Sequence, residues 1–100
     1  MTIYEFLEQN LNLLSNEIIP LLESDFSSHD FLKKFAKRFE GDYINFLHNY
    51  GGTGAFKTVH GQIAKFLADN ETKLNIHKKQ KVRSENVFGE MDEIQGWKKN

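Results

Sequence analysis

Residues 56–83 read FKTVHGQIAKFLADNETKLNIHKKQKVR, and the fold class turns on where this stretch changes its period. Val59, Ile63, Phe66 and Leu67 follow helical spacing, so a helix is expected from Phe56, with Thr58 as its N-cap, to an end at Asn70. Past Asn70 that period stops. Leu74 and Ile76 alternate with Lys73, Asn75 and His77, the period of two expected of a strand with one face in water. Val82 is expected to start a partner strand, with Lys78, Lys79 and Lys81 near the intervening turn. That turn holds no Gly, Asn or Asp, so the segment reads either as a small β-hairpin or as an extended basic loop.

Working outward, three more helices precede this one. Thr2 and Glu5 have the spacing of a capping box, so a helix should start near Ile3. Leu7, Leu11, Leu14, Ile18 and Leu21 then lay one apolar stripe along it. Pro20 lacks an N–H and its ring meets the carbonyl of Asn16, which predicts a kink there or an end near Ile19. Ser27 and Asp30 form a second cap. The helix from Ser28 turns Phe31, Leu32, Phe35, Ala36 and Phe39 inward, with Lys33, Lys34, Lys37 and Arg38 on its other side. Gly41 interrupts this run and Asp42 caps a third helix, which sends Tyr43, Ile44, Phe46, Leu47 and Tyr50 to the core and ends in the turn at residues 51–54. Downstream, Met91, Ile94 and Trp97 recur every third residue and predict a closing helical turn that plugs Trp97 into the core. The expected fold is mainly α, a compact bundle of about four helices with a small β-hairpin or basic loop near the C-terminus. One domain spans 1–100, with an acidic helical segment at 1–26 and a helical core at 28–100 that carries the basic segment 73–83.

A basic two-stranded element after a helix pair resembles the layout of winged-helix DNA-binding domains over roughly residues 30–90, a resemblance of element order. It implies that the fourth helix acts as a recognition helix, presenting His60, Gln62 and Lys65 to base edges while Lys57 holds a phosphate. Lys73, Lys78, Lys79, Lys81 and Arg83 would position further phosphates of double-stranded DNA. On this reading the chain is a small regulator, of transcription or of a mobile element.

Charge distribution keeps a second class open. The net charge of −1 hides a division: residues 1–32 hold six carboxylates and no Lys or Arg, whereas residues 33–100 hold all 13 cations against eight carboxylates. A protein-interaction module without nucleic-acid binding would use Glu5, Glu8, Glu17 and Glu23 of the acidic first helix to dock a basic protein partner or a second copy of the chain.

Chemistry-bearing motifs are sparse. The absence of Cys excludes disulfides and thiolate metal sites, and His29, His48, His60 and His77 include no pair four residues apart, so no metal is expected. The glycines at 51, 52 and 54 lack the spacing of a phosphate-binding loop, and no cofactor is expected. No nucleophile is marked by an adjacent base, which predicts a protein that is not an enzyme. Apolar residues make up 39% of the chain and charged ones 27%, a globular balance, and no apolar run reaches membrane-spanning length. A cytoplasmic protein without membrane contact is the expectation.

Overall fold

The computed structural model describes residues 1–51 and 54–100. Among them six helices pack against a three-stranded antiparallel sheet, so the architecture is mixed rather than a helical bundle alone. Chain order is α1 (Ile3–Gln9), α2 (Leu11–Leu13), a π turn (Leu14–Ile18), a 3-10 turn (Ile19–Leu21), β1 (Asp25–Ser27), α3 (Ser28–Arg38), α4 (Glu40–Tyr50), α5 (Ala55–Asp69), α6 (Glu71–Leu74), β2 (Ile76–Glu85) and β3 (Met91–Lys99). The sheet order is β1-β3-β2.

Both capping boxes form. Thr2 Oγ1 accepts from Glu5 N at 3.1 Å while Thr2 N donates to Glu5 Oε1 at 2.9 Å, and Ser27 and Asp30 repeat the exchange at 3.1 and 2.9 Å. Such a cap contributes about 1 kcal/mol. At Pro20 the backbone rewinds instead of stopping. A π turn ahead of it and a 3-10 turn around it carry the chain to Leu21, with Pro20 in the first turn, where a missing N–H costs nothing. The change of pitch shifts the apolar stripe by one position: Leu7, Leu14 and Ile18 are buried as expected, but Leu21 is 63% exposed and Leu22 takes the inward place.

Two helix starts differ from expectation. Helix α4 begins at Glu40, with Phe39 rather than Asp42 as the boundary and Gly41 inside the first turn, where Gly is tolerated. Helix α5 begins at Ala55 behind Gly54, which adopts φ +93°, so Thr58 lies within the helix and caps nothing. The expected turn at 51–54 is described at Gly51 and Gly54, both at positive φ; residues 52 and 53 lie outside the described residues.

The C-terminal third departs most. Leu74 closes α6, not a strand, and Asn75 at φ +58° turns the chain so that β2 starts at Ile76. β2 then runs straight through the lysines to Glu85, and the hairpin turn sits at residues 86–90, where Asn and Gly supply turn chemistry. Asn86 Oδ1 accepts from Phe88 N at 2.9 Å and Glu90 N at 3.0 Å, and Gly89 adopts φ +80°. Met91–Trp97 is not a helical turn but most of β3, the central strand, paired on one side with β2 and on the other with β1 through Asp25↔Lys98, Phe26↔Trp97 and Ser27↔Gly96. Pairing along both edges outweighs three apolar residues at helical spacing.

One apolar cluster joins the elements. Phe31 and Phe35 of α3, Phe66 and Leu67 of α5, Ile3 and Leu7 of α1 and Trp97 of β3 are all essentially sealed from solvent. Trp97, 1% exposed, donates its indole N–H to Ser28 Oγ at 2.9 Å, meeting the condition on which an indole is buried.

Candidate functional site

Three surfaces carry the candidate chemistry: the exposed side of α5, the hairpin, and a groove over α3.

On α5, Val59, Ile63, Phe66 and Leu67 face the core, leaving Lys57, Thr58, Gly61 and Lys65 outside. The residues expected to read bases are not free there. His60 Nε2 and the Tyr43 hydroxyl share a hydrogen bond of 2.8 Å, with the two rings stacked at 6.1 Å, and Gln62 Nε2 donates to the Tyr50 hydroxyl at 3.1 Å. Both side chains are half-buried against α4. Burial, and secondarily the nearby His29, push the His60 pKa down to about 4, so the ring is neutral near pH 7; burial also raises that of Tyr43. Lys65 pairs with Asp69 at 3.7 Å and lies 5.2 Å over the Tyr4 ring, while the Tyr4 hydroxyl donates to Asp69 at 2.7 Å.

The hairpin is electrically divided. Lys78, Lys79 and Lys81 of β2 lie toward its base, joined by Lys98 and Lys99 of β3 and Lys73 of α6, whereas Arg83 stands nearer the tip; the four β2 cations are exposed. Around the tip stand Glu85, Glu90, Asp92 and Glu93, and Arg83 is the register partner of Glu93. Between Lys78 and Lys81 the register breaks, with Lys79 and Gln80 together facing the single Gly96. The Gln95 side chain holds this bulge by donating to Lys79 O. Asp25 pairs with Lys79 at 3.3 Å and Ser27 Oγ shares a 2.8 Å bond with Ser84 Oγ, so the outer strands curl toward each other across β3.

The groove, of about 1080 Å³, runs between α3, α4, the 21–26 segment and the hairpin tip. Leu21, Ile44, Phe56 and Phe88 are apolar residues with large exposed areas on its walls, and Lys33, Lys34 and Lys37 line the α3 side. Sequence reasoning placed Leu21 and Ile44 in the core and so missed it; the lysines of α3 were the only signal available.

The acidic first helix presents less than its composition implies. Glu5 is engaged by Thr2, whose backbone and hydroxyl hydrogen bonds hold its carboxyl below the usual range, and Glu17 pairs with Arg38 at 3.6 Å. Glu8 and Glu23 remain exposed. Among the described residues no group of His, Asp or Glu is arranged to hold a metal ion, and no helix is long and apolar enough to cross a membrane. Comparison with protein-family models, with curated proteins and with solved structures found no match to this chain.

Proposed function

We propose that this chain is a binding module of winged-helix-like layout, without catalysis of its own, that grips the phosphate backbone of double-stranded DNA through β2 and reads no bases. The observation that carries the reading is the row of exposed cations Lys78, Lys81 and Arg83 on one strand, with Lys73 exposed on the helix that precedes it. Of the β2 cations, Lys79 has its charge answered by Asp25 at 3.3 Å. From Lys78 to Arg83 the strand covers roughly 15 Å, a length of DNA axis that takes in about four phosphates of one strand. Element order supports the layout, since the hairpin follows α5 and the short α6, and its second strand returns to pair with β1. The side chains of α5 support a backbone grip over base reading, because His60 and Gln62 are spent on tyrosines of α4. Arg83, opposite Glu93, ends the row, and the acidic tip beyond it would be held away from DNA by its own charge.

Four phosphate contacts, by Lys73, Lys78, Lys81 and Arg83, predict that affinity falls roughly 100-fold between 50 and 200 mM salt. Fluorescence anisotropy of a labelled random-sequence duplex tests this. Lys78→Ala and Lys81→Ala should each reduce the salt slope by about 1, equally for every sequence, and Gln62→Ala should leave affinity and preference unchanged. No binding at low salt overturns the reading.

A further inference from the structure

We propose that the DNA backbone lies against one face of the hairpin alone, the face of Trp97, and that the bulge in β2 is what gathers Lys78, Lys81 and Arg83 onto it, a placement that rests on the phosphate grip proposed for β2.

Strand geometry without the bulge would scatter these cations. Side chains alternate between faces along a strand, so residues 78 and 81, three apart, would point opposite ways. Directly opposed residues of an antiparallel pair, by contrast, share a face. Lys78 stands opposite Trp97, Lys81 opposite Gln95 and Arg83 opposite Glu93, alternate residues of β3 and hence one face. The bulge makes the difference. With Lys79 and Gln80 together facing Gly96, β2 spends one extra residue, and Lys81 returns to the side of Lys78. Gln95 pins the bulge by donating to Lys79 O, and the missing side chain of Gly96 leaves room for Gln80 O, 2.8 Å from where a Cβ would stand.

Lys79 goes to the other face, that of Gly96. There it pairs with Asp25 at 3.3 Å, and Ser27 bonds Ser84 at 2.8 Å across the same side of the sheet. Lys98, opposite both His77 and Asp25, shares that face, as does Asp92, opposite Ser84, so two lysines there meet two carboxylates. The Trp97 face is not balanced in this way. Its carboxylates on the hairpin, Glu85 and Glu93, stand at the tip end, and Lys78 and Lys81 have no carboxylate opposite them on β3. Among the described residues none of Lys78, Lys81 and Arg83 is in an ion pair. Glu71 of α6 engages the backbone there, accepting from Lys78 N at 2.6 Å, and Lys99 of the same face donates its ammonium to Leu22 O. Trp97 is sealed from solvent, but β2 is an edge strand and its three cations on this face stay exposed. A phosphate backbone therefore meets a row of cations on one face and balanced charge on the other.

Lysine acetylation of the whole protein, with and without a random-sequence duplex at low salt and read by mass spectrometry, tests the placement. Lys78 and Lys81 should lose reactivity when DNA is added, whereas Lys79 and Lys98 keep theirs. Equal protection on both faces, or protection of Lys79 and Lys98 alone, overturns the proposal. A charge-conserving exchange gives a second readout. Gln80→Lys with Lys81→Gln moves one cation to the Gly96 face at constant net charge; affinity at 100 mM salt should fall roughly 5–10-fold and the salt slope by about 1. Lys79→Gln with Gln80→Lys keeps the cation on the Gly96 face and should change neither. Circular dichroism checks that both variants fold. If the Lys81 exchange has no effect, or both exchanges weaken binding equally, the one-sided placement fails while the phosphate grip stands. A parent protein that does not bind at low salt brings down both.

Discussion

Gly96 lies where the β2 bulge presses hardest on β3, and replacing it by Ala sets two effects of opposite sign against each other. A Cβ there would meet Gln80 O at 2.8 Å and Val82 Cγ1 at 3.3 Å. Real Cβ atoms do not approach a carbonyl oxygen so closely, and this oxygen belongs to backbone that cannot rotate aside. The bulge would have to move by several tenths of an ångström against the Gln95 side chain that holds it. Overpacking of this kind costs about 1–3 kcal/mol, whereas removing glycine's excess backbone freedom from a strand returns about 0.5–1 kcal/mol. Repulsion wins, and Gly96→Ala should destabilise by about 1–2 kcal/mol, lowering Tm by roughly 5–15 °C for a domain of this size. Gly61→Ala is the internal control. Nothing lies within 4 Å of its added Cβ, on the open side of α5, so only helix propensity changes and stability should rise by about 1 kcal/mol. Scanning calorimetry of the two variants beside the parent decides the matter. If Gly96→Ala melts at or above the parent, the bulge yields freely and the close approach of β2 and β3 is not a constraint.

Other expectations follow from single contacts. Trp97→Phe removes the indole donor to Ser28 and leaves a void beside it, which should cost about 2–4 kcal/mol in urea unfolding; a loss below 0.5 kcal/mol would mean that the site refills without strain. His60 is neutral in the folded protein down to about pH 4, but the unfolded chain takes up the proton near pH 6.5. Its stabilising contribution is therefore complete above pH 6.5 and is lost as pH falls toward 4. His60→Phe keeps the stack on Tyr43 and should flatten that part of the pH profile of urea midpoints; an unchanged slope would refute the assignment to His60. Asn86→Ala should speed amide hydrogen exchange at Phe88 and Glu90 while leaving α5 amides protected, and uniform protection would show that the turn does not depend on its side chain.

Local chemistry was readable from the residues. The capping boxes at Thr2 and Ser27 need only side chains three positions away, and the buried face of α5 follows from a period that a single helix imposes. Non-local pairing was not. β3 was misread because Phe26↔Trp97 joins residues 71 apart in sequence, which no window of spacing reports, although Gly96 is a poor helix former and could have warned of it. Leu21 was misplaced because the π turn alters the pitch before it. His60 and Gln62 were misjudged for another reason: helical angle tells which way a side chain leaves its own helix, not that Tyr43 and Tyr50 of α4 wait beside it. In the candidate site the lysines were legible as charge, but the groove was not, since its walls come from four separate parts of the chain.

The strand made last is the middle of the sheet, and this orders assembly in time. β1 and the start of α3 are synthesised early, yet Ser28 awaits Trp97, the backbone oxygen of Ser24 awaits Lys99 N, and that of Asn75 awaits Asn100 N. The hairpin can close on itself, but the helical part keeps an open seam until β3 arrives. Closing it gathers the chain between Phe26 and Trp97 into one loop, an entropic toll that local helices escape, so the slow step of folding should be the docking of β3 onto β1.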